Sequence, residues 1–209
     1  MLLLLPLLVY PALITAPRPL ESAALYAPTR HVRTANTDAG TALREGYHRS
    51  LTFASLVDRL QASDVVVYVS VVPQLPAPLR ARSTMSAGTP YERYVWSEIA
   101  RGVTPDETIA LVAHELRHAL EIADAEDVID QTGMERLYRR IGTRSGPGMF
   151  ETEDAIETEW RVKKELRTRA VQAEPPARRG DMASSDSAGP AKRLTAAPRW
   201  SFRALVTGR

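Results

Sequence analysis

The sequence predicts an α+β fold in which a small sheet packs against helices. Three observations carry this. The unbroken β-branched run from Val65 to Val72 has the composition of a buried strand. Arg93-Tyr94-Val95-Trp96-Ser97-Glu98-Ile99 supplies a second strand. Segments with a helical apolar period stand before and after this pair rather than alternating with strands, which favours α+β over a wound α/β sheet. The sequence holds neither an internal repeat nor a glycine-rich phosphate loop.

Taken in order, residues 25–49 have mixed polarity, with Asn36, Asp38 and Gly40 as turn formers, and make a poorly defined lead-in. Ser50 to Ala62 repeats apolar residues at helical spacing (Leu51, Ala54, Val57, Leu60). The strand that follows ends at Pro73, Pro76 and Pro78, and a loop with Gly88 and Pro90 leads to the second strand. Thr104 to Ala125 opens with two helix-start signals. Thr104 and Glu107 have capping-box spacing, and Pro105 falls where its missing N–H costs nothing. No Gly or Pro interrupts the next turns, so a helix of roughly 20 residues is expected. Thr132 and Glu135 repeat the capping-box spacing and open a short helix to about Ile141, closed by Gly142 and by Gly146-Pro147-Gly148. A last helix is expected from about Glu151 to Arg167. The main domain is thus placed at 50–169, followed by a basic Ala/Pro/Ser-rich tail at 170–209.

The chain has 209 residues, 44% of them hydrophobic and 25% charged, ordinary values for a globular protein. It has no cysteine, which excludes disulfides and cysteine-based metal sites. Any transition-metal site must come from Asp, Glu and the four histidines His31, His48, His114 and His118. Residues 2–14, LLLLPLLVYPALI, are apolar but short for a membrane span and interrupted by Pro6 and Pro11. They resemble a signal-peptide core, with a cleavage site after Ala24, so export to the periplasm or outside is expected. The competing expectation is an uncleaved anchor touching the membrane through residues 2–14. From Arg167 to Arg209 there are nine Lys/Arg against three Asp/Glu, whereas 18 basic and 22 acidic residues precede this end. Such a tail reads as disordered. No specific nucleic-acid partner is expected, although Trp200 to Val206 (WSFRALV) is apolar enough to dock somewhere.

Inside the capped helix lies His114-Glu115-Leu116-Arg117-His118, an H-E-x-x-H motif. At 3.6 residues per turn the two histidines stand one above the other on one face, with Glu115 about 100° round from His114. Two imidazoles so placed can share a zinc ion, and the carboxylate can reach a water on it.

A catalytic zinc usually takes three protein ligands and keeps one open position. His31 and His48 lie far upstream with nothing to place them. Glu121 shares the histidine face, but a rise of about 10.5 Å separates it from His114, so it is better suited to orienting His118. Asp124 lies six residues after His118, with no glycine to turn the chain back. On the last expected helix, Glu151 falls with Ala155, Val162 and Leu166 on the apolar face, Glu159 at its edge, and Glu153 and Glu157 toward solvent. A carboxylate on a buried face is costly unless a cation pairs with it. Glu151 is therefore the first candidate for third ligand, with Glu121, Asp124 and Glu159 as alternatives.

On these residues the chain resembles the zincin metallopeptidases, and within them the gluzincins, whose third ligand is a glutamate on a separate helix. The small minigluzincins are similar in plan: a helix, a short sheet, the H-E-x-x-H helix, then a glutamate helix. The resemblance covers roughly residues 50–167 and rests on His114 to His118 plus Glu151. Thirty-two residues separate His118 from Glu151, more than in the familiar gluzincins. The resemblance implies that His114, His118 and Glu151 bind Zn2+ and that Glu115 is the general base for hydrolysis of a peptide or protein substrate. It implies substrate pairing at a sheet edge, for which Tyr94 to Ile99 is the candidate, with Tyr94 and Trp96 in contact. Tyr138 and Arg117 are candidates for the oxyanion donor. The alternative is a non-catalytic zincin-like binding or scaffold protein, exported or membrane-tethered. It would hold no zinc and would tolerate loss of Glu115.

Overall fold

The computed structural model describes residues 30–86, 88–89, 91–173 and 204–205. The elements are β1 (Val32–Thr34), α1 (Thr37–Arg49), α2 (Leu51–Gln61), β2 (Val65–Val72), β3 (Ala81–Ser86) and β4 (Arg93–Ala100). They continue as α3 (Pro105–Ala123), α4 (Gln131–Ile141), β5 (Thr143–Gly146), β6 (Met149–Glu151), α5 (Glu153–Ala173) and β7 (Ala204–Leu205). The fold is α+β, with a small mixed sheet and five helices among the described residues.

The four-stranded sheet runs β1-β2-β4-β3, with β1, β2 and β4 parallel and β3 antiparallel to β4. Alternate residues of β4 (Val95, Ser97, Ile99) are buried on the side that carries α3. Helix α3 lies between this sheet and the helices α1, α2 and α5. Every residue from Ile109 to Leu116 is buried, which marks it as the central element. Its start is as the sequence predicts: Thr104 Oγ1 accepts from the Glu107 N–H at 3.2 Å, and Pro105 follows.

Four expectations change. The lead-in is part of the domain from residue 30 onward, because β1 adds to β2 and α1 packs on α3. Asn36 makes this possible: its side chain caps α1 through Ala39 N and ties it to β2 through the Val71 carbonyl at 2.8 Å. Residues 81–86, expected as loop, form β3. The short helix α4 is capped by Asp130, which accepts from Gly133 N at 2.7 Å, and not by Thr132, because the Asp carboxylate takes the first free N–H. Helix α5 begins at Glu153, so Glu151 ends strand β6 instead of opening the helix. The expected signal segment 1–24, and the tail at 170–209 beyond Ala173 except β7, lie outside the described residues. No helix among the described residues is long and apolar enough to cross a membrane.

The α1–α2 corner shows how α5 is tied down. Ser50 ends α1 and caps α2, accepting from Phe53 N at 3.0 Å. Gly46 is needed here, since a Cβ would lie 2.7 Å from the Phe53 ring. Glu165 of α5 accepts from Ser50 Oγ (2.5 Å), Thr52 Oγ1 (2.6 Å) and Thr52 N (3.1 Å). Burial pushes the Glu165 carboxyl up, but these donors outweigh it and hold it below the usual range. A depressed folded-state pKa contributes stability above the unfolded value of about 4.3, lost as pH falls through the folded value. Glu165→Gln is therefore expected to cost about 1 kcal/mol at pH 7, the size of a lost cap. The gap from wild type should close below pH 4, measured by urea unfolding at both pH values. A gap that persists at low pH would contradict this.

Candidate metal centre

The H-E-x-x-H segment sits at the middle of α3, and every residue of it but Arg117 is buried. His114 is 1%, Glu115 1% and His118 0% exposed, and Glu151 and Glu159 are 7% and 3%. The two imidazoles meet edge to face at 77°, with Nε2 of one 3.1 Å from Nε2 of the other. Glu151 Oε2 lies 3.1 Å from His114 Nε2. Ligand atoms of His114, His118 and Glu151 all fall within 4.8 Å of one another. Two nitrogens on a tetrahedral zinc at about 2.0–2.1 Å stand roughly 3.3 Å apart, close to what is seen.

The outward nitrogens are also engaged. His118 Nδ1 is 2.8 Å from Glu121 Oε2, and His114 Nδ1 is 3.3 Å from Glu159 Oε2. A carboxylate behind each ring favours a proton on Nδ1, the tautomer that leaves Nε2 for a metal. The two Nε2 atoms face one another across one place. Thr152 completes the arrangement: its Oγ1 donates to Glu121 at 2.7 Å and accepts the Ala155 N–H at 3.2 Å, so the start of α5 also fixes His118. Gly142 lets β6 approach this point. A Cβ there would lie 2.9 Å from the Tyr138 carbonyl oxygen and 3.1 Å from that of Glu151.

Charge explains why a cation suits the cluster. Four carboxylates (Glu115, Glu121, Glu151, Glu159) are buried in it. Lys163 reaches Glu159 and Arg117 lies 3.8 Å from Glu121. Among the described residues Glu151 has no Lys or Arg partner, and neither of its oxygens accepts a hydrogen bond. A buried carboxylate without a Lys or Arg partner, facing two imidazoles, is what a metal ion relieves. Burial disfavours the charged His114 ring, yet the adjacent Glu151 and Glu159 carboxylates outweigh it and push its pKa up to about 10. Burial pushes Glu121 and Glu159 up, but His118 and His114 respectively hold each below the usual carboxylate range.

Glu115 points elsewhere on the helix. Its Oε2 accepts from Ser83 Oγ at 2.5 Å, and Ser97 Oγ lies 2.9 Å from Ser83. With the Ser83 proton committed to the carboxylate, Ser97 must donate to Ser83. Burial pushes the Glu115 carboxyl up, against the opposing pull of His114, His118 and Ser83. Such a group holds its proton more tightly than an exposed glutamate does.

Of the sequence candidates, His114, His118 and Glu151 come together, though Glu151 arrives from a strand and not from the helical face expected for it. Glu121 and Glu159 stand behind the imidazoles. Asp124 is exposed and pairs with Arg59 at 3.4 Å, away from the cluster. Tyr94 and Trp96 require correction. Strand β4 is paired on both sides, so it is not an edge. Both rings also lie on the sheet face opposite α3, where Tyr94 donates to Glu92 and Trp96 stacks on Tyr68 at 4.5 Å. Tyr138 is wholly buried, and its hydroxyl donates to the His118 carbonyl at 3.0 Å, so it braces the motif helix and is no free oxyanion donor. Arg117 is bound to Asp154. Ser83, Ser97 and Thr152 escaped the sequence reading. Only the motif glutamate's need for a donor could have drawn attention to a serine on a neighbouring strand. No protein-family model, no curated protein and no solved structure matches this chain.

Proposed function

We propose that the protein is a zinc-dependent metallopeptidase of zincin type, cleaving peptide bonds with Glu115 as general base. The observation that carries this reading is the convergence of two Nε2 atoms and a buried carboxylate without a Lys or Arg partner, with a second, serine-held glutamate on the same helix as the histidines. When bound, zinc supplies Lewis acidity, lowering the pKa of a water toward neutrality and polarising a carbonyl. His114, His118 and Glu151 would hold it. Glu121 and Glu159 keep the rings in the tautomer that binds. Glu115 takes a proton from the attacking water and delivers it to the departing amine, and Ser83 keeps the carboxylate in one rotamer while it does so.

The decisive measurement is elemental analysis of purified wild type beside His118→Ala and Glu151→Ala, with hydrolysis of an unfolded protein followed in parallel. One zinc per wild-type chain, at least tenfold weaker binding in both variants, and hydrolysis lost to a chelator and restored by zinc are expected. A wild-type chain that binds no zinc would overturn the proposal.

A further inference from the structure

The side of α5 that faces away from the core carries an ordered charge pattern. The helix packs on α3, α2 and α1, and Ala155, Glu159, Val162 and Leu166 mark its buried side. With Trp160 taken as 0° and about 100° per residue, Glu153, Ile156, Glu157, Lys164 and Arg167 project within about 60° of it. All six are exposed, Trp160 at 64% and Ile156 at 40%. Along the axis the carboxylates stand in the first half, Trp160 at the middle and the cations in the second half. Trp160 lies two turns, about 10.5 Å, from Glu153 on one side and from Arg167 on the other. Glu157 is paired with Arg161 of its own helix, whereas Glu153, Lys164 and Arg167 make no ion pair among the described residues.

A charge gradient of this kind is complementary to itself when reversed. With a second α5 laid antiparallel across the first and the two-fold axis at Trp160, Glu153 of each copy faces Arg167 of the other, and Glu157 falls beside Lys164. The two indoles meet at the axis, where burial of a large ring counts most. Lys163, beside the ring at 5.9 Å, is already neutralised by Glu159. An anionic lipid surface or a nucleic acid would attract Lys164 and Arg167 but meet Glu153 and Glu157 on the same face, a repulsion that a second copy avoids. Glu159 leaves the helix on its buried side and stands behind His114, so this pairing covers no part of the metal cluster.

We propose that the protein self-associates through α5, two copies packing this helix antiparallel about a two-fold axis at Trp160. The inference stands apart from the metallopeptidase reading and needs no metal. The shared face runs from Glu153 to Arg167, a length of about 21 Å. That is at the small end of specific interfaces, so a dimer of micromolar affinity is expected.

Sedimentation velocity of the full chain across the micromolar range is the test. Two double variants each reverse one half of the face: Lys164→Glu with Arg167→Glu makes both halves acidic, and Glu153→Lys with Glu157→Lys makes both basic. Expected are a wild-type dimer and self-association weaker by about tenfold or more in either double variant and in Trp160→Ala. The two double variants mixed together should associate about tenfold or more tightly than either does alone, which a folding defect could not produce. A wild type that stays monomeric overturns the proposal, and one that is monomeric yet sediments with phosphatidylserine vesicles assigns the face to a lipid surface instead. Dimerisation that survives all three variants places the contact elsewhere and overturns it too. So does a mixture that fails to associate while each double variant keeps the wild-type circular dichroism.

Discussion

Glu115→Gln is expected to lower kcat by about 10²- to 10⁴-fold while the chain keeps its metal. The substitution is nearly isosteric, and the amide oxygen can still accept from Ser83, so neither α3 nor β3 needs to move. What changes is basicity, since an amide cannot take a proton from water at neutral pH. His114, His118 and Glu151 are untouched, so zinc stoichiometry should equal that of wild type. Steady-state hydrolysis of an unfolded protein and metal analysis on the same samples check this. Wild-type turnover in the Gln variant would remove Glu115 from the chemistry.

Arg93→Met should be the most destabilising single change, costing about 3–5 kcal/mol, the range for breaking a buried charge network. The guanidinium is 5% exposed at the start of β4. Its Nη1 donates to the carbonyls of Ile122 (2.8 Å), Ala125 (2.7 Å) and Val128 (3.1 Å), and Nη2 to that of Ala123 (3.1 Å). Asp64 receives a bidentate pair at 2.7 Å each. Because the Asp64 side chain is 46% exposed, little of the cost is Coulombic. Most of it is the loss of partners for carbonyls at the end of α3, which water cannot replace there. Urea unfolding with unchanged m-value is the measurement. Arg93→Lys should recover only part of the loss, since an ammonium lacks the planar fork. A Met variant within 1 kcal/mol of wild type would show that α3 ends without this cap.

Both effects act on one helix, and they differ in how far local sequence reveals them. The α3 helix announces itself through Thr104, Pro105 and Glu107, and the motif histidines through their spacing. Arg93 gives no such signal, because in sequence it is only a basic residue before a strand. Its partners lie 29 to 35 residues away in the chain. Strand β3 was hidden for a related reason. Its buried face is Ala81, Ser83 and Met85, and the serine that breaks the apolar alternation is the one that binds Glu115. A polar residue committed to a buried carboxylate interrupts the apolar pattern that marks a strand. Glu151 was selected on a helical projection that the strand β6 does not obey. Glu151 nevertheless lies with His114 and His118, because the premise that it is buried does not depend on the element carrying it.

What the sequence determined by itself is whatever short-range geometry controls: the buried strand at Val65–Val72, the capped helix, and two imidazoles one turn apart. Residues within a few positions settle those, because dihedral preferences, caps and side-chain period act along the chain. What only the tertiary structure decided is every relation across it: Glu151 from β6, Glu121 and Glu159 behind the rings, Ser83 on Glu115, and which strand is an edge. Those depend on how separate elements share a core, and burial at a distance leaves no mark in local spacing.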